Sequence, residues 1–187
     1  LFPVDVARRR RGGGGAAAVA IQALDRRHRE CRDLQEAQPR LVERAGADAV
    51  TGGSITALYT VLADGGDTDD PIVDAARAIV DGHIVLSRSL AEQGVYPAID
   101  VGRSLSRVMS DIVAPEHAAA ASAFRRLWSA FEENRDLILM GAYSPGGDPV
   151  VDEAIVRRPD LLAFLRQAPE ARVPYEASIA ALQELMA

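Results

Sequence analysis

GGSITALYTVLADGGDTDDPIVDAARAIVDGHIVLSRSLAEQGVYPAIDVGRSLSRVM, residues 52–109, is the stretch whose reading decides the fold. From Ile55 to Leu62 it is rich in β-branched and aromatic residues, with two glycines before and an acidic loop after. That pattern predicts a buried strand, and the near-continuous apolar run favours a parallel sheet covered on both faces. The turn-rich segment DGGDTDDP, residues 64–71, ends on a proline suited to the first position of a helix. Its carboxylates read as a solvated loop rather than a cation site. Ile72, Ala75, Ala76 and Ile79 then recur at helical spacing, and Asp81-Gly82 ends that helix. HIVLS, residues 83–87, is a second short apolar strand, with His83 at its entrance expected as a hydrogen-bonded structural residue. SLAEQG, residues 89–94, gives one or two helical turns closed by glycine. Strand, helix, strand and helix in this order point to an α/β layer architecture.

Working outward, the whole chain of 187 residues is 48% apolar, enough to bury a core of one domain or one domain with an appendage. It has no run of about 18 apolar residues, and its opening Leu-Phe-Pro-Val is interrupted too soon by charge to be a signal peptide. The expected compartment is the cytoplasm. One cysteine, Cys31, allows no internal disulfide and fits a reducing environment. The net charge of −6 is uneven: residues 1–44 hold ten arginines against six acids, so the remainder stands at −10. An acidic body with a basic head poor in aromatic residues does not fit a nucleic-acid binder.

All 21 basic residues counted as Lys or Arg are arginine. A G-x-x-x-x-G-K-[ST] phosphate loop needs a lysine to reach the β and γ phosphates, so none exists in this chain. RRRRGGGGAAAVA, residues 8–20, is low-complexity and expected to be flexible. The segment after it has only Ile21, Leu24 and Leu34 as large apolar residues, too few for a buried helical face. His28 and Cys31 are three apart, but a closed zinc site needs four ligands and no second cysteine is present.

Downstream, residues 116–140 follow Pro115 and set Phe124, Leu127, Trp128 and Phe131 at i, i+3, i+4 and i+7. This predicts a helix of about six turns packed along one stripe, with Trp128 in the core and His117 exposed in the first turn. Residues 149–167 and 174–186 read as further helices. Leu161, Leu162, Phe164 and Leu165 form a face on one, Tyr175, Ile179, Leu182 and Met186 on the other, with Pro159, Pro169 and Pro174 as dividers.

The ordered motifs GSIT, DGHIVLSR, YPAID and SRVM, followed by MGAYSPGGDP at residues 140–149, resemble the C-terminal half of flagellar export ATPases. These belong to the type III secretion ATPase family, itself related to the catalytic subunits of F- and V-type ATPases. The resemblance starts near RLVERAG, residues 40–46, and covers about four fifths of the chain. It implies an α/β fold in which the C-terminal part of a RecA-like core, residues 40–114, precedes an all-helical C-terminal domain, residues 115–187. Residues 1–39 stand apart as a low-complexity or foreign segment.

The resemblance also implies roles. Tyr96, with Pro97 fixing the backbone beside it, matches the aromatic that packs on the adenine of ATP; base stacking contributes roughly 1–3 kcal/mol. The bland reading of Tyr96 is a half-buried core aromatic. Arg107 of SRVM matches the arginine finger that enters a neighbouring subunit's site, which requires a ring or other oligomer. Arg103 is its competitor and reads as a surface residue. Mg2+ is implied with ATP, but the phosphate loop, the metal-binding aspartate and the catalytic glutamate of the family have no counterpart here. Implied partners are full-length subunits, export chaperones, cargo and export-gate proteins, at most peripheral to the inner membrane. The chain also departs from the family in reading LQEAQP before RLVERAG and in having Gly66 where a second aspartate is usual. Without a phosphate loop it is not expected to hydrolyse ATP alone. Two further readings are a non-catalytic helical module for chaperones or cargo, and an inactive product of a truncated or frameshifted gene.

Overall fold

The computed structural model describes residues 46–47, 54–61 and 71–187. The chain divides into two compact units between Asp81 and Gly82. In the first, β1 (Gly46–Ala47) pairs antiparallel with β2 (Ser54–Ile55), and α1 (Pro71–Ile79) follows. Pro71 is the first helical residue, as the sequence predicts, and Asp74 pairs with Arg77 one turn on at 3.3 Å. The expected buried parallel strand over 55–62 is corrected: only Ser54–Ile55 is strand, its ladder is antiparallel, and Ile55 and Leu58 are 48% and 58% exposed. A buried parallel strand needs neighbours on both edges and cover on both faces. Among the described residues the sole ladder partner here is the two-residue β1. The acidic loop before Pro71, the low-complexity segment, and His28 and Cys31 lie outside the described residues.

The second unit opens with β3 (Gly82–Leu86), α2 (Arg88–Glu92) and β4 (Ile99–Ser106). Ser87 caps α2 by accepting from the Leu90 amide at 3.3 Å, and Gly94 closes the turn after it at φ 70°. β3 and β4 pair antiparallel with Gly82 opposite Ser106 and Leu86 opposite Ile99. Two steps of β3, His83 to Val85, face five steps of β4, Asp100 to Leu105, so β4 carries a large bulge.

A short turn of helix, α3 (Met109–Ile112), leads into α4 (Pro115–Leu139), α5 (Pro149–Leu165) and α6 (Tyr175–Met186). Pro115 and Pro149 each occupy a first helical turn, where the missing N–H costs nothing. Asp148 caps α5 by accepting from the Val150 and Val151 amides. Phe124, Leu127 and Trp128 are buried on α4, with Phe131 half-buried, and meet Leu161 of α5 and Leu182 of α6. Phe124 stacks near Trp128 at 6.2 Å and tilts against Phe164 at 5.6 Å. Burying a side chain of this size contributes roughly 1.5–3 kcal/mol, so α4 is the spine of the unit. Val101 of the bulge and Val95 join the same core, and β4 packs on α4.

Two expectations are corrected here. His117 is 4% exposed rather than free in the first turn, because the start of α6 covers it; the rings of His117 and Tyr175 meet edge-on at 6.3 Å. Pro159 does not divide helices but lies inside α5. The lost backbone bond is tolerated because Ala154 and Leu161, on either side of it, are fully buried and hold the helix in place. Among the described residues, no helix is long and apolar enough to cross a membrane.

Candidate functional site

Tyr96 and Pro97 form a bend between α2 and β4, joined by a cis peptide. Backbone bonds fix the bend from several sides. The Val95 amide donates to the Leu90 carbonyl at 2.9 Å, the Ile99 amide to the Pro97 carbonyl at 2.8 Å, and the Gln167 amide to the Tyr96 carbonyl at 2.8 Å. Val95 is buried beside it, while Tyr96 is 55% exposed. A rigid backbone thus presents an accessible phenol ring, in contrast to a half-buried core aromatic.

Arg107 lies in the bend directly after β4, and its side chain is exposed. The residue before it pairs with Gly82, and Met109 two residues on packs against the core. Arg107 is thus held between two anchors on a span of one further residue, Val108. Arg103 is also exposed, within the bulge.

The bulge between these two ends is tightly bonded. The Asp100 carboxylate accepts from the Arg103 amide at 3.1 Å. The Ser104 hydroxyl, fully buried, donates to the Asp100 carbonyl and accepts from the Val85 amide at 2.9 Å. The hydroxyl thus satisfies the Val85 amide at the place where the β4 backbone has looped away. His83 bonds the Arg103 carbonyl through Nε2 at 3.0 Å, the structural role expected of it. From α4, the Arg125 guanidinium donates to the Ser104 carbonyl at 2.5 Å. Asp100, Ser104 and Arg125 are absent from the sequence reading. Gly102 within an otherwise strand-like run is the signal that could have marked the bulge.

Because β4 runs beside the four steps of β3, its paired ends are roughly 13 Å apart, with Tyr96 beyond one end and Arg107 beyond the other. The strand therefore does not bring the two predicted residues together. An open depression of about 420 Å³ beside the bulge is lined by Ser87, Asp100, Arg103, Trp128, Glu132 and their neighbours, and by neither Tyr96 nor Arg107.

Two electrostatic features surround this arrangement. Burial pulls the Arg158 guanidinium below its ordinary value, against the upward pull of Glu132, to which it is bonded at 2.5 Å. The same guanidinium lies 3.9 Å from the Trp128 ring centre and 4.3 Å from that of Phe131. Burial likewise lowers His117. For ligands, the exposed Tyr96 ring on a fixed backbone fits the base of a nucleotide. Among the described residues, no three His, Cys, Asp or Glu side chains cluster.

Comparison with known proteins bears on the family of the chain. Residues 27–106 match the nucleotide-binding domain of the ATP synthase alpha/beta family, and residues 113–184 match the T3SS EscN ATPase C-terminal domain. The flagellum-specific ATP synthase of Pseudomonas aeruginosa is 54% identical over 149 residues, covering 80% of this chain and 33% of that protein. Among solved structures, the assembled ATPase EscN of the enteropathogenic E. coli type III secretion system superposes with a TM-score of 0.76 at 42% identity. That match covers 83% of this chain and 37% of EscN. EscN in complex with its central stalk EscO gives 0.74 at 36% identity, covering 91% and 44%. The chain spans about a third of the length of the curated relatives it matches. With an alpha/beta-family nucleotide-binding segment running directly into an EscN-type helical domain, the chain belongs to the family of flagellum-specific and type III secretion ATPases.

Proposed function

We propose that this chain is the C-terminal portion of an ATPase that energises flagellar or type III protein export. In this reading Tyr96 and Pro97 contact the adenine of ATP, and Arg107 is a finger acting on the nucleotide of a neighbouring subunit. One observation carries it: two exposed groups suited to the two ends of a nucleotide stand at opposite ends of one bulged strand. Each group then serves a different interface. An arginine finger contributes roughly 10³ to 10⁵ in rate, about 4–7 kcal/mol of barrier. Its planar fork matches phosphate oxygens in a way lysine does not. The assembled state of EscN and its complex with a stalk protein support a ring with further partners. We extend those partners to chaperones, cargo and the export gate, at the cytoplasmic face of the inner membrane. The phosphate- and Mg2+-binding groups that the family resemblance implies would come from outside this chain. The domain assignment that goes with this reading is a RecA-like part over 40–114 and a helical part over 115–187.

Photolabelling with an azido-adenine ATP tests the adenine contact. In complexes of this chain with full-length relatives, label should appear on the peptide bearing residues 94–98 and be lost in Tyr96→Ala. Label confined to other peptides contradicts the assignment.

A further inference from the structure

We infer that Arg125, on the helical spine α4, is a positioning residue for the arginine finger, a claim that rests on reading Arg107 as that finger. Between the paired positions Asp100 and Leu105 the backbone departs from its partner strand, so ordinary ladder bonds do not fix residues 101–104; pairing resumes at Leu105 and Ser106, just before Arg107. What fixes that stretch instead is a pair of carbonyl contacts on successive residues. His83 of β3 holds the Arg103 carbonyl at 3.0 Å, and Arg125 holds the Ser104 carbonyl at 2.5 Å. These two pull from different elements, the sheet on one side and the helical bundle on the other.

The Arg125 contact differs from the others in reach. Asp100, Ser104 and Val85 bond within the β3–β4 pair itself, whereas Arg125 is 21 residues away and joins the pair to α4. Ser104 is the pivot, because its fully buried hydroxyl sets the bulge while its carbonyl receives the guanidinium. Three residues later the chain reaches Arg107. A charge-assisted bond from a rigid helix to this carbonyl transmits the placement of α4 to the finger. Arg125 touches no nucleotide in this account; it acts through Ser104.

The test uses this chain as wild type, Arg125→Ala and Arg125→Lys, with two readouts. The first is amide hydrogen exchange over residues 99–107, together with the thermal midpoint of the Trp128 signal. Arg125→Ala should speed exchange in that segment without lowering the midpoint of the bundle, and Arg125→Lys, which can still donate to one carbonyl, should restore protection. The second is ATP turnover when each chain is co-assembled with a flagellum-specific ATP synthase whose own finger has been replaced by alanine. Arg125→Ala should lower the kcat supported by the wild-type chain by about 10²-fold, the scale of a misplaced catalytic group, with KM for ATP unchanged and with Arg125→Lys close to wild type. Unchanged exchange in Arg125→Ala, or a changed KM with kcat intact, overturns the proposal. Should the wild-type chain itself support no turnover, the finger reading of Arg107 fails, and the exchange data alone then decide whether Arg125 positions this strand.

Discussion

At the scale of single residues, Gly82 and His117 carry the sharpest consequences. A Cβ on Gly82 would meet the Leu105 carbonyl oxygen at 2.8 Å and the Ser106 Cα at 3.3 Å. Both are backbone atoms of the ladder that ends at Ser106, so the strand must shift rather than a side chain yield. Gly82→Ala is expected to destabilise the second unit by about 1–3 kcal/mol, as overpacking does, which urea unfolding followed by Trp128 fluorescence would measure. His117 is held below its ordinary value of 6.5 by burial. The unfolded chain therefore takes up a proton before the folded one. His117 contributes full stability above about pH 6.5, loses it as pH falls through that value, and levels off below its folded value. The Tyr175 ring meets it edge-on, and Glu116 lies beside it in sequence. In the same unfolding assay, His117→Phe should flatten the pH dependence between about pH 8 and about pH 5.5; a wild-type curve already flat there contradicts the burial argument.

Among the elements, α4 organises both the core and the site, and the pair of Arg158 with Glu132 shows how it does so. Arg158 of α5 lies over Trp128 and Phe131 of α4 and is 12% exposed in its side chain, while Glu132 is 35% exposed. Glu132→Leu should cost about 1–2 kcal/mol, less than the 3–5 of a fully buried pair because water screens the carboxylate. Adding Arg158→Met should recover much of that loss. A double mutant no more stable than Glu132→Leu alone would show that the cation–ring contact, not the ion pair, carries the interaction. The helices were legible in the sequence because Pro115, Pro149 and the stripe through Phe124, Leu127 and Trp128 are local signals. The run from Ile55 was read as a buried parallel strand because its residue types suit one, yet a ladder depends on partners that a local pattern does not contain. His117 was misread for the same reason: its cover comes from Tyr175, 58 positions away. For the candidate site, Tyr96, Pro97 and Arg107 rest on the family resemblance that YPAID and SRVM carry. Asp100, Ser104 and Arg125 do not, because their role exists only once β4 has bulged onto α4.

For the molecule as a whole, the proposed function has the chain contribute chemistry only at an interface. It has an accessible Tyr96 at one end of a strand, an accessible Arg107 at the other, and no lysine with which to build a phosphate loop. Alone, the chain should not turn over ATP. The measurement that tests this most directly is steady-state ATP hydrolysis by a finger-deficient flagellum-specific ATP synthase, with and without this chain. The account predicts that wild-type chain raises turnover by about 10³-fold or more per productive interface, and that Arg107→Ala gives no increase. Equal turnover with wild type and Arg107→Ala, or turnover by the isolated chain, would contradict it.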